Sequence, residues 1–164
     1  MEIKKYNFKE NPELAYLKML ECQHIIEENL VSNGGSLKQE DLLLQLHDWQ
    51  YLILANIDDQ PVGLSLVRKS HEDKHKTGYD NYYYISLIAV LPSVQKNGIG
   101  TELLRETLSL PVSLPIVASC RKDNEISNNF LSKSMKNYAD TRRYHRFIDN
   151  KSYDKFYSPK PNML

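Results

Sequence analysis

Tyr82-Tyr83-Tyr84-Ile85-Ser86-Leu87-Ile88-Ala89-Val90-Leu91-Pro92-Ser93-Val94-Gln95-Lys96-Asn97-Gly98-Ile99-Gly100-Thr101 is the stretch on which the reading of this chain turns. Its first ten residues are nearly all apolar, rich in β-branched and aromatic side chains and without alternation, which predicts a strand covered on both faces. Pro92 ends the strand. After the short loop from Ser93 to Gly100, Thr101, Leu103, Leu104, Thr107 and Leu108 recur at helical spacing until Pro111 stops them. The unit is strand, glycine-bearing turn, helix. The first turn of such a helix offers backbone N–H groups without partners, and glycines at 98 and 100 let a ligand reach those donors without Cβ obstruction. This is an anion site, and phosphate is its usual occupant.

What the loop lacks narrows the ligand. A dinucleotide fingerprint places a third glycine at position 103, where this chain has Leu103; a P-loop places Lys-Ser or Lys-Thr after the second glycine, where it has Thr101-Glu102. Gln95, Gly98 and Gly100 instead spell Gln-x-x-Gly-x-Gly. Here the chain resembles the GNAT superfamily of acyl-CoA-dependent N-acyltransferases, in which this loop grips the pyrophosphate of coenzyme A. The three letters alone arise by chance in a chain of this length with a probability of about 0.1, so the weight rests on context. That context is the strand ending Ala89-Val90-Leu91-Pro92 before the loop and the helix after it.

The rest of the chain is read outward from this unit. Ile3, Tyr6 and Phe8 predict a first strand, and Asn11-Pro12 a helix start with asparagine as cap and proline at the first helical position. Ala15, Met19, Cys22, Ile26 and Leu30 share one face of that helix, with Glu21, Glu27 and Glu28 outside it. Asn33-Gly34-Gly35 breaks it, and Ser36 with Gln39 forms a capping box for a second helix through about Trp49, its apolar face holding Leu42, Leu43 and Leu46. Tyr51 to Ile57 and Val62 to Val67, joined by Asp58-Asp59-Gln60-Pro61, predict an antiparallel hairpin. The family has a hairpin here too, with a glycine shortly after its acidic turn, and Gly63 extends the resemblance. From Arg68 to Asn81 the chain is polar and reads as a loop or hairpin tip.

After Pro111, Ile116 to Cys120 predict a buried strand, so that strand, helix 98–109 and strand form a right-handed βαβ crossover. Asp123 or Asn124 caps a further helix with Ile126, Phe130 and Leu131 facing inward, and Tyr138 to Tyr157 read as a final hairpin turning at Asp149-Asn150-Lys151. Residues 159–164 read as a frayed tail. The resemblance thus implies a single α/β (α+β) GNAT domain over residues 1–164, with a mixed central sheet of about seven strands flanked by four helices.

Composition sets limits. At 164 residues, one domain is expected, burying roughly 70% of the surface of its unfolded chain. Basic and acidic residues number 21 each, so no broad field draws in nucleic acid or an anionic membrane. No run approaches the length of a membrane span, and Met1 to Tyr6 form no apolar signal region. Cys22 and Cys120 are too few for a disulfide framework and read as reduced core residues, so a cytoplasmic protein is expected, as monomer or homodimer.

The resemblance also assigns roles. Ile88, Ala89 and Val90 match the strand end whose backbone bonds the pantetheine arm and polarises the thioester carbonyl in the family. Gln95, Lys96, Asn97, Gly98, Ile99, Gly100 and Thr101 match the pyrophosphate loop. Asn124 matches the asparagine that opens the family's fourth helix and contacts the cofactor arm, though an asparagine there is also a plain helix cap. The implied cosubstrate is acetyl-CoA and the implied acceptor an amine-bearing small molecule or peptide. A competing motif, His71-Glu72-Asp73-Lys74-His75, spells the H-E-x-x-H zinc signature. It sits among Lys69, Ser70, Lys76 and Thr77 with no apolar face to seat a helix, which favours a solvated loop and no metal site.

Catalysis departs from the family. A lysine-like amine has a reference pKa near 10.4, so roughly 4 in 10,000 molecules are neutral and nucleophilic at pH 7. Several family members use a glutamate eleven residues before the loop glutamine as base; that position is Tyr84 here. The usual acid, a tyrosine seven residues after the helix-opening asparagine, is Leu131, and the glycine-aromatic pair that follows is Ser134-Met135. Tyr84, Tyr138 and Tyr144 are the hydroxyls that could substitute, and for each the plainer reading is an aromatic that packs.

Overall fold

The computed structural model describes residues 1–32, 48–70, 81–121, 125–135, 146–148 and 151–158. Seven strands form one sheet in the order β1-β2-β3-β4-β5-β7-β6. They are β1 (Glu2–Asn7), β2 (Trp49–Ile57), β3 (Gln60–Ser70), β4 (Tyr82–Val90), β5 (Ile116–Arg121), β6 (Arg146–Ile148) and β7 (Lys151–Ser158). The described helices are α1 (Pro12–Glu21), α2 (Gln23–Ser32), α3 (Ile99–Leu108) and α4 (Glu125–Met135). The sheet is mixed: β4 and β5 pair in parallel, while β1 with β2, β2 with β3, β5 with β7 and β6 with β7 pair antiparallel.

The contacts group the chain into two units, 1–68 with 86–107, and 69–85 with 108–164. In the first, α1 begins as the sequence predicts: Asn11 Oδ1 accepts from the Leu14 N–H at 3.2 Å, and Pro12 fills the first helical position. The single helix expected as far as Leu30 is divided at Cys22. Cys22 N–H donates to Met19 O and Ile25 N–H to Cys22 O, two i to i+3 bonds that tighten the chain into a 3₁₀-type turn between the two helices. Both halves then bury their apolar faces: Ala15, Met19, Cys22, Ile25 and Ile26 pack with Phe8, Trp49, Leu52, Leu54, Leu64, Leu66 and Ala89. Trp49, expected at a helix end, instead opens β2 and is buried.

Between β2 and β3, Asp58 and Asp59 take φ of 49° and 61° and Ile57 pairs with Gln60. That is the two-residue, doubly left-handed turn that matches strand twist, and Asp tolerates the conformation better than most residues. The opposite face of β3 meets α3. A Cβ at Gly63 would lie 3.1 Å from the Ala89 carbonyl, 3.1 Å from Leu103 Cδ1 and 3.3 Å from Ile99 Cγ2. Only a residue without a side chain lets helix and strands close to this distance. Lys5 of β1 clasps Glu106 of α3 at 2.7 Å, and Lys5 and Arg105 hold the Glu106 carboxyl below its usual pKa.

In the second unit, β5 lies between the start of β4 (Tyr83↔Ile116, Tyr84↔Val117, Ile85↔Ala118) and β7 (Ile116↔Ser158 through Arg121↔Tyr153). Tyr82 and Val117 are fully buried, with Tyr84 packed against them. On α4, Leu131 is buried and Phe130 half-buried as expected, but Ile126 is 82% exposed. The inward face of α4 runs through Ser127, Phe130, Leu131 and Ser134 at spacings of three and four, and Ile126 lies one step off it. The final hairpin is present, with Ile148 opposite Lys151. The expected helix from Ser36, the H-E-x-x-H motif at 71–75, Asn124, Tyr138, Tyr144 and the tail at 159–164 lie outside the described residues.

Candidate functional site

The site predicted from the sequence is carried by the end of β4 and the loop leading into α3. The strand is less covered than its composition implies: Ala89 and Val90 are buried, but Ser86, Leu87 and Ile88 are only half so. Pro92 to Val94 then form one 3₁₀ turn, closed by Val94 N–H to Leu91 O at 3.0 Å. Gln95, Lys96, Asn97 and Gly98 follow, all exposed.

Two backbone observations fix the direction of the last β4 peptides. Leu91 N–H donates to Val62 O on β3 at 2.8 Å, and the Ala89 carbonyl lies against Gly63 of the same strand. No peptide here is cis, and across a trans peptide the C=O of one residue and the N–H of the next point in opposite directions. Val90 N–H and Val90 C=O therefore both point away from β3. The carbonyl accepts two side-chain amides: Asn29 Nδ2 from α2 at 2.9 Å and Gln95 Nε2 from the loop at 3.0 Å.

The loop turns on two left-handed residues, Lys96 at φ 65° and Gly98 at φ 80°. Asn97 Nδ2 donates back to Val94 O at 3.2 Å and braces the turn. The first bond of the α3 ladder is Glu102 N–H to Gly98 O at 3.0 Å, so the N–H groups of Ile99, Gly100 and Thr101 lie ahead of that ladder. Ile99 is buried and anchors the helix start, Gly100 is half-buried and Thr101 exposed. Among the described residues a Cβ at Gly98 would meet nothing within 4 Å, so the space beside this residue at the helix start is open to them. Open space, forward N–H groups and the Lys96 cation suit a phosphate-bearing ligand.

The predicted cofactor residues 88–90 and 95–101 thus lie at the end of β4 and along the turn into α3, linked by the bond from Gln95 to Val90 O, while Asn124 lies outside the described residues. Of the candidate acid–base hydroxyls, only Tyr84 is described; it is half-buried and packs with Tyr82 and Val117. Leu131 is buried, 6% exposed. Among the described residues no three His, Cys, Asp or Glu side chains gather as a metal site, and no helix is long and apolar enough to cross a membrane. Two residues escaped the sequence reading. Asn29 carried a signal, a polar residue at the helical spacing of Cys22, Ile25 and Ile26. Ser86, whose buried Oγ finds no partner among the described residues, carried none.

The family model described as the acetyltransferase (GNAT) family matches residues 19–135. No curated protein matches the sequence significantly. Solved structures with a similar fold include a GNAT-family acetyltransferase from Bacillus cereus ATCC 10987, 14% identical over 97% of this chain and 96% of that one, with a TM-score of 0.61. An acyl-CoA N-acyltransferase from Pseudomonas aeruginosa is 16% identical over 96% and 99%, with a TM-score of 0.62. An aminoglycoside acetyltransferase from an uncultured soil metagenomic sample is 17% identical over 90% and 94%, with a TM-score of 0.61. At these identities the likeness speaks for the α+β fold, and the family match covers most of the chain. This chain belongs to the GNAT acetyltransferase family, whose acyl donor is acetyl-CoA.

Proposed function

We propose that the protein transfers the acetyl group of acetyl-CoA to a primary amine by direct attack of the amine on the thioester. When bound, acetyl-CoA supplies the activated acyl group and a thiolate leaving group. The single observation that carries the reading is the direction of the Val90 peptide groups, away from β3, beside the open turn at Gly98. In this reading Gln95 to Thr101 hold the pyrophosphate through backbone N–H groups, with Lys96 adding charge, and Asn124 contacts the arm. The Ile88 to Val90 backbone orients the acyl group and stabilises negative charge on its carbonyl oxygen. The leaving thiol has a pKa of about 8.5, basic enough to be protonated from water, so a dedicated acid is dispensable. The acceptor ammonium must lose its proton to water, and where the protein itself protonates the departing thiolate the donor is a hydroxyl such as Tyr84, Tyr138 or Tyr144.

One observation favours a second reading. Leu131, where the family's acid stands, is buried apolar core, and Tyr84 is packed; a domain that binds acetyl-CoA without turning it over needs no acid at either position. The deciding experiment follows release of the CoA thiol against a panel of amines, peptides and, because a fold relative acts on them, aminoglycosides. Acceptor-dependent release establishes the transferase. Tight binding of acetyl-CoA with no release for any acceptor establishes the binding module.

A further inference from the structure

Asn29 lies in the middle of α2, a position where asparagine is a poorer helix former than alanine because its amide competes for backbone hydrogen bonds. It occupies the face that buries Cys22, Ile25 and Ile26, where helical periodicity calls for an apolar side chain. Its Nδ2 donates to Ile25 O one turn back at 2.9 Å and to Val90 O, 61 residues away, also at 2.9 Å. Both of these acceptors of Nδ2 are carbonyl oxygens, which only accept, so the orientation of the amide is fixed and both Nδ2 hydrogens are committed. The first bond anchors the side chain to its own helix; the second reaches the strand end that carries the proposed site.

The peptide joining Val90 and Leu91 is consequently held at both ends. Leu91 N–H is bonded to Val62 O at 2.8 Å, and the two acceptor lobes of Val90 O take Asn29 from the helix and Gln95 from the loop. The two amides are not equivalent. Gln95 is exposed, whereas Asn29 is half-buried and anchored by its second bond. A donor arriving on a ligand can displace Gln95 from one lobe while Asn29 keeps the other. Rotation of this peptide would turn Val90 C=O, and with it the strand end, out of register.

We propose that Asn29 is a positioning residue for the acyl-CoA arm: it fixes the terminal β4 peptide, so that the backbone at Val90 presents a preset hydrogen-bonding edge to the pantetheine amide. This rests on the acetyl-CoA reading of the site above. The role is separable from pyrophosphate recognition, which belongs to the loop and the start of α3, and that separation supplies the test.

Calorimetric titration compares acetyl-CoA with adenosine 3′,5′-bisphosphate, which keeps the nucleotide end and lacks the pantetheine arm. Asn29→Ala is expected to weaken acetyl-CoA at least tenfold and change the bisphosphate by less than twofold. Asn29→Asp, of the same shape but without a donor, places a carboxylate against two carbonyl oxygens and is expected to lose at least as much; Asn29→Gln, which restores a donor, is expected to recover part of the loss. Equal weakening of both probes, or acetyl-CoA affinity within twofold of wild type in Asn29→Ala, overturns the proposal. Should Asn29→Ala lose its far-ultraviolet circular dichroism, Asn29→Ser takes its place with the same two criteria. Wild-type protein that binds neither probe overturns the acetyl-CoA reading itself, and the role of Asn29 with it.

Discussion

The hydroxyls of Ser65 on β3 and Thr107 on α3 meet at 2.8 Å, and neither residue exposes any surface. Thr107 Oγ1 also lies 2.7 Å from Leu103 O, which can only accept. A hydroxyl has one hydrogen, so Thr107 donates to its own helix and Ser65 donates to Thr107. Thr107→Val keeps the shape and strands the Ser65 hydroxyl, and should cost about 1–3 kcal/mol in urea unfolding. Adding Ser65→Ala should recover part of that loss, because the double variant leaves no hydroxyl orphaned. Purely additive costs would show that the pair is not coupled.

Gly63→Ala tests how closely α3 approaches the sheet. The added methyl meets the Ala89 carbonyl and Leu103 at 3.1 Å, and backbone cannot yield as a side chain can. A loss of about 1–3 kcal/mol is expected from overpacking. Because Ala89 neighbours Val90, acetyl-CoA affinity should fall with it; a fully stable Gly63→Ala protein would contradict the packing.

Gly98→Leu adds both strain and bulk. The φ of 80° costs an L-residue roughly 1–2 kcal/mol, visible in stability. The open space beyond its Cβ is where the pyrophosphate is proposed to lie, so acetyl-CoA binding should fall by more than stability alone explains, a hundredfold or greater. Gly98→Asn, which tolerates a left-handed φ, separates the two effects. Unchanged calorimetric affinity in Gly98→Leu would remove the loop from the site.

For the hydroxyls, Tyr84→Phe, Tyr138→Phe and Tyr144→Phe should each lower kcat by less than about 100-fold, where loss of a true general acid or base typically costs 10²–10⁴-fold. Packing of Tyr84 with Tyr82 and Val117 argues for the small effect. A loss above about 1,000-fold in one variant, with acetyl-CoA affinity intact, would identify that tyrosine as the acid.

Cys22 is fully buried, and burial pushes its thiol up from 9.0 to about 12. The folded state therefore holds its proton where the unfolded chain has lost it. Stability from this thiol is complete below about pH 9 and is lost as pH rises from 9 toward 12. Cys22→Ala should flatten that part of the pH–stability curve, and the native thiol should resist alkylation at pH 8 until the protein is unfolded. Rapid alkylation of the native protein would show that the thiol is reachable.

Much of this was legible in the chain because local chemistry and fold agree. Asn11-Pro12, the Asp58-Asp59 turn, the unbroken apolar runs of β2 to β4 and the Gln95–Gly100 loop each announce themselves through backbone demands that few residues meet. What was not legible depends on partners distant in sequence. The division at Cys22 arises because each half of the helix buries its own face. Trp49 joins β2 because its indole fills the core under α1 and α2, and Ile126 turns outward because α4 presents its other side. Asn29 showed as a polar interruption, but its acceptor lies 61 residues away.

The first unit is assembled from two separated pieces, 1–68 and 86–107, and each depends on the other. Leu87 and Ala89 complete the core beneath α1 and α2, while Ile99, Leu103 and Thr107 cover the reverse face of β3. During synthesis the N-terminal hairpin and helices therefore emerge with the reverse face of β3 uncovered and the core beneath α1 and α2 still lacking Leu87 and Ala89, and only when Thr107 has left the ribosome can that layer close. The strand end and loop of the proposed site are delivered by the piece that closes it, so the ability to grip a cofactor and the ability to stay folded arrive together.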